Sequence, residues 1–127
     1  MNRKTIFTKN APSAIGYYSQ AIVSNGLVYT AGQIPLDPKT GEIVSDGFSE
    51  QVKQTLINIE SVLKESGTDL SKSIKLTVFI TDLSNYPELN AVFKEQFVGA
   101  DPPARSVVEV SALPKDALIE IDCIATL

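Results

Sequence analysis

The chain has 127 residues, 11 lysines and arginines against 15 aspartates and glutamates, a formal net charge of −4, one cysteine and no histidine. That length fits one domain whose core can fold without disulfides or metal. A single thiol excludes an internal disulfide framework and a cysteine-based zinc cluster, and the missing imidazole excludes Ser-His-Asp and Cys-His nucleophiles, a histidine-ligated metal and imidazole acid–base chemistry.

The opening residues, MNRKTIFTKNAPS, are followed by no apolar run of signal-peptide length, and no segment approaches the ~18 apolar residues of a membrane span. A reducing, cytoplasmic setting is expected, with no membrane partner. The lysines are scattered and the net charge is negative, so no electrostatic footprint for nucleic acid is present. There is no dinucleotide fingerprint and no phosphate loop.

In chain order, residues 21–23 and 27–34 read as strands around Ser24-Asn25-Gly26, whose Asn-Gly pair favours a hairpin turn. A turn at residues 37–41 leads to a helix from about Asp46 or Phe48 to Ser66, with Gly67 as its stop. Along it Phe48, Val52, Leu56, Ile59 and Leu63 form one apolar stripe. Residues 74–81 read as a strand with Ile74, Leu76, Val78 and Ile80 on the core side. A second helix spans about Asn85 to Phe97, with Pro87 in its first turn. Strands at residues 105–110 and 118–126 follow, joined through Leu113-Pro114-Lys115-Asp116. The pattern predicts an α+β sandwich with two helices on one face of a mixed sheet. Apolar residues on both faces of the later strands, Val107 against Val108 and Ile121 against Ile124, predict that the uncovered face packs on other subunits.

Several polar residues fall where a core is expected. Asn90 shares a helix stripe with Tyr86, Leu89, Phe93 and Phe97, so it is either a ligand contact or an amide at the stripe edge bonded to a loop. In the last strand Glu120 and Asp122 share a face with Leu118 and Ile124, where they are candidates for chemistry or members of a solvated strand face. Cys123 is on the opposite face and reads as core. Gly32, inside LVYTAGQIP, marks either close approach of another group or a β-bulge. Arg105, opening the strand in PPARSVVEV, is one of two arginines. It is either a surface cation or a planar fork for a carboxylate or phosphate.

Taken together these residues resemble the reactive intermediate deaminase family, RidA/YjgF. The matching stretches are NAPSAIGYYSQA, AGQIPLDPKTGE, KLTVFITDL, PPARSVVEV and LPKDALIEID, in order along nearly the whole chain, so residues 1–127 read as a single domain of that kind. The resemblance implies a chorismate-mutase-like fold with a mixed six-stranded sheet, two helices on one face, and a homotrimer with a central β-barrel and ligand clefts between subunits. It implies cofactor-independent hydrolysis of 2-enamine and 2-imino acids such as 2-aminoacrylate to 2-keto acids and ammonia. The family's carboxylate-gripping arginine falls on Arg105, its water-positioning glutamate on Glu120, a cleft tyrosine on Tyr18 and a cleft asparagine on Asn90. The backbone at Ala31 and Gly32 matches a ligand-touching segment.

Two departures from the family pattern bear on the cleft. Tyr17 stands where the family often has proline, so that either tyrosine ring could line the cleft, with Tyr18 preferred. Val107 stands where cysteine is common, which removes a thiol from that substrate-binding wall. On this reading Arg105, at the start of an inner strand, fixes the substrate carboxylate so that the imine carbon faces a water held by Glu120. The alternatives are a non-catalytic or regulatory trimer that binds keto acids and an endoribonuclease or translation inhibitor. The second draws little support from a histidine-free, acidic chain.

Overall fold

Asn25 and Gly26 both take positive φ, 51° and 77°. They close the hairpin that the Asn-Gly pair predicts, between β2 (Ala21–Ser24) and β3 (Leu27–Thr30). The computed structural model describes residues 3–127. Its other elements are β1 (Lys4–Ile6), α1 (Phe48–Ser66), β4 (Ser73–Ile80), α2 (Tyr86–Gln96), β5 (Ala104–Glu109) and β6 (Ile119–Thr126). The strands form one six-stranded sheet in the order β1-β2-β3-β6-β4-β5. Only β4 and β5 pair in parallel, while the remaining neighbours run antiparallel. β6 thus sits between β3 and β4, the two strands that α1 connects.

The predicted stripe of α1 is buried in full, from Phe48 through Val52, Leu56 and Ile59 to Leu63. Gly67 ends the helix at φ 98°, where its N–H donates to Lys64 O and the Thr68 N–H donates to Leu63 O. Against the helices lie Leu76, Val78 and Ile80 of β4 and Ile119, Ile121, Cys123 and Ala125 of β6, in a single core cluster. Cys123 belongs to that core, and burial pushes its thiol up to about 11. The opposite sheet face carries Tyr29, Thr77, Phe79, Val108, Glu120 and Asp122, and neither helix covers it. Tyr29 and Val108 are each 43% exposed there.

Four details differ from the sequence reading. β1 is a short strand that alternation alone does not reveal. β3 stops at Thr30 rather than Ile34. Tyr29 pairs with Ile124 and Gln33 with Ile121, so four steps along one strand oppose three along the other. The surplus residue forms a bulge at Ala31-Gly32. Ile74 is 44% exposed rather than core, because a register shift between Ser73 and Lys75 turns it outward. Finally, β5 is an edge strand rather than an inner one, since β4 is its only partner within the chain.

Candidate functional site

Arg105 and Glu120 sit in two separate hollows. Arg105 pairs in register with Leu76, whose side chain is buried under the helices, so Arg105 points to the helix side of the sheet. There α2 receives it. Its Nη2 donates to Asn90 Oδ1 at 2.7 Å and to Tyr86 Oη at 3.1 Å. Its guanidinium carbon lies 4.9 Å from the Phe93 ring centroid and 5.5 Å from that of Tyr86. Asn90 is therefore not bonded to a loop: its amide oxygen holds the arginine. The adjoining cavity, about 990 Å³, is lined by Asn90, Phe93, Lys94, Phe97, Pro103 and Arg105 among others.

Glu120 pairs with Phe79 on the uncovered face. Its carboxylate folds against Gly32, where an added Cβ would come within 3.0 Å of Glu120 Cγ and closer still to the carboxyl group. The bulge and the close approach are thus one feature: the extra residue of the bulge brings bare backbone under the acid. Half-burial raises the Glu120 pKa, and the neighbouring Asp122 charge raises it further. Asp122 is also raised, by burial, against the lowering effects of a Thr77 hydrogen bond and of Lys75. Glu120, Gly32, Ala31, Tyr18, Ile15 and Pro114 line a cavity of about 290 Å³.

Tyr18 reaches that cavity because its loop is pinned. Gln20 is buried, donates through Nε2 to Thr8 O and Pro12 O, and accepts the Thr8 N–H. The Gln20 carbonyl accepts the Ala31 N–H at 2.9 Å, so one residue fixes both the tyrosine loop and the bulge. The Tyr18 hydroxyl accepts the Ile15 N–H at 3.1 Å. The Tyr17 side chain is fully exposed and lies outside the lining. Val107 follows Arg105 on the helix-facing side and packs against the core cluster rather than lining either cavity.

One chain therefore brings Arg105 together with Asn90, and Glu120 together with Tyr18, Ala31 and Gly32, but does not join the two groups. Leu76 and Phe79, their partners on β4, are three residues apart and point to opposite faces. No cavity residue is shared. Sequence reasoning missed Tyr86 and Phe93 as partners of Arg105, although both lie within one helical turn of Asn90 and so on its side of α2. It also missed Gln20, for which no periodic signal exists. Among the described residues, no group of three or more His, Cys, Asp or Glu side chains is placed to hold a metal ion, and no helix is long and apolar enough to cross a membrane.

Residues 8–127 match the family model described as endoribonuclease L-PSP. A RutC family protein of Pyrococcus horikoshii is 50% identical over 123 residues, which cover 97% of each chain. The 2-iminobutanoate/2-iminopropanoate deaminase of Rattus norvegicus is 42% identical over 123 residues, covering 97% of this chain and 89% of that one. Among solved structures, the Rid family protein YyfA of Yersinia pestis superposes with a TM-score of 0.96 at 50% identity, covering 99% of this chain and 100% of that one.

Proposed function

The chain belongs to the endoribonuclease L-PSP family, which includes the RutC and RidA/YjgF proteins, and from that premise we propose that it hydrolyses 2-imino and 2-enamino acids to 2-keto acids and ammonia. The observation that carries this reading is the pair of incomplete hollows: one holds an oriented guanidinium, the other a half-buried glutamate with a raised pKa, and they open on opposite faces of one sheet. A homotrimer in which neighbouring chains meet would let the Arg105 hollow of one chain complete the Glu120 hollow of the next. The partly exposed Tyr29 and Val108 on the uncovered face supply apolar surface for such contacts.

In that cleft Arg105 grips the substrate carboxylate and fixes the imine carbon. Acting on the protonated imine, to which an enamine first tautomerises, Glu120 takes a proton from water as the oxygen bonds to that carbon, giving a neutral carbinolamine, and then returns the proton to nitrogen, making it an ammonium leaving group. The C–N bond breaks, ammonia leaves, the hydroxyl proton passes to solvent, and a 2-keto acid remains. A raised pKa suits the glutamate to this task, because it makes the carboxylate a stronger base. The chain's own groups suffice for each step, and no cofactor is called on. The family's name refers to RNA, but a chain with no histidine and net charge −4 has neither the usual imidazole acid–base pair nor the net positive charge that favours a polyanion.

The test is release of ammonia and keto acid from 2-iminobutyrate generated in situ, measured against the uncatalysed rate. Acceleration that disappears in Arg105→Ala supports the reading. A rate equal to the uncatalysed one, with pyruvate still bound, leaves a keto-acid-binding protein instead.

A further inference from the structure

Arg105 has more partners than a free clamp would. Nη2 carries two hydrogens, and each two-pronged grip on a carboxylate uses one of them, together with a hydrogen of either Nη1 or Nε. Here Nη2 already has two acceptors, Asn90 Oδ1 at 2.7 Å and Tyr86 Oη at 3.1 Å. A carboxylate that takes the fork must displace one of them or be reached by another donor. The two acceptors differ in what they can do next. Both side chains keep a donor, the Asn90 Nδ2 amide and the Tyr86 hydroxyl, but only in the phenol is the donating atom the same one that accepts from the guanidinium, so that the cation acts on its proton directly.

Tyr86 is the more exposed of the two partners. It is 38% exposed at the first turn of α2, whereas Asn90 is half-buried; Asn90 and the residue after Tyr86, Pro87, line the large cavity beside Arg105, and Tyr86 stands at its margin. Its ring lies under the guanidinium at 5.5 Å, so its hydroxyl is held close to wherever the arginine meets an anion.

We propose that Tyr86 is a second anion-binding residue of this cleft: its hydroxyl, held by Arg105, donates a hydrogen bond to the carboxylate that Arg105 attracts. The chain N–H···O–H···carboxylate polarises along its length, because the cation strengthens the phenol as a donor. The anion site is then an arginine–tyrosine pair backed by Asn90. This rests on the reading of Arg105 as the carboxylate site and adds to it a residue that sequence spacing alone places in the apolar stripe.

Tyr86→Phe tests it, because the ring and its contact with the guanidinium remain while only the hydroxyl is lost. Pyruvate binding is measured by calorimetry, and turnover of 2-iminobutyrate is measured alongside. The variant is expected to weaken pyruvate binding at least about tenfold, the size of one hydrogen bond to a charged group, and to raise KM while kcat stays within about twofold. In an Arg105→Ala background the same change should have no effect, since nothing then holds the hydroxyl. Unchanged or tighter binding by Tyr86→Phe overturns the inference, as does an equal loss in the Arg105→Ala background. If Arg105→Ala itself binds pyruvate like the unaltered chain, it is the carboxylate reading of Arg105 that falls.

Discussion

The carboxyl group of Glu120 lies against the bare α-carbon of Gly32, in space that any side chain at that position would fill. The two residues meet because the stretch from Tyr29 to Gln33 carries one more residue than the facing stretch of β6 from Ile121 to Ile124, which pushes the Ala31-Gly32 backbone under the acid. Gly32 thus sets where Glu120 stands, although it carries no functional group.

Gly32→Ala should therefore harm activity more than folding. The methyl group forces the glutamate off its rotamer, at a stability cost of roughly 1–3 kcal/mol for overpacking. Turnover of 2-iminobutyrate should fall at least about tenfold, since displacement of a reacting group by ~1 Å has effects of up to a hundredfold. Thermal unfolding beside initial rates checks both, and full activity would mean that the glutamate's position is not critical.

Glu120→Gln should separate stability from activity. The folded chain holds the Glu120 proton more tightly than the unfolded chain, so the contribution of this group to stability is complete below its ordinary value of 4.5 and is lost as pH rises through the raised one. The variant should melt higher than the unaltered chain at pH 7, and the gain should fade as pH drops below about 4, where both forms are neutral. Its turnover should be low at every pH. In the unaltered chain kcat/KM should decline on the acid side with a midpoint above 4.5. An acid limb that persists unchanged in Glu120→Gln would assign the titration to another group.

Arg105→Lys distinguishes geometry from charge. Lysine keeps the cation but presents a point donor that can neither stack in the same way on Phe93 and Tyr86 nor span two carboxylate oxygens. It should recover only a minor part of the activity lost in Arg105→Ala, with both variants folded and assembled. Full recovery would show that attraction alone is enough.

Mixing two inactive variants tests whether the site is shared between chains. Arg105→Ala and Glu120→Gln are each expected to be inactive alone, but co-refolded in equal amounts they should recover about a quarter of the unaltered activity, the share of random neighbour pairs that supply one intact arginine and one intact glutamate. A site built within one chain predicts no recovery, and so does a protein that does not assemble. Light scattering on the same samples distinguishes these two outcomes.

Local periodicity carried the helices and the faces of the central strand. The stripe from Phe48 to Leu63 and the alternation from Ile119 to Ala125 each depend only on side-chain direction within one element, and both are present in the structure. The face on which Arg105 points is a different kind of fact. It follows from the parallel register of β5 on β4, a pairing between residues about thirty positions apart, and no spacing within PPARSVVEV specifies it. For the same reason the separation of Arg105 from Glu120 was not legible, nor was the edge position of β5. Gly32 was legible as an anomaly but not in kind, because a bulge is defined only when the partner strand is known. Tyr86 and Phe93 read as apolar filling, since their contact with the guanidinium depends on a side chain arriving from another strand.

The burial of Cys123 shields the chain's one thiol from oxidants. Its only sulfhydryl is 1% exposed and held protonated, with a pKa pushed up to about 11, so almost none of the reactive thiolate exists at neutral pH. Alkylating reagents and peroxide should leave the folded protein unmodified at that position, and no disulfide should link one folded chain to another through it. On the proposed reading, which relies on Arg105 and Glu120 and on no thiol, oxidising conditions that disable thiol-dependent catalysts would leave the working groups of this site unchanged.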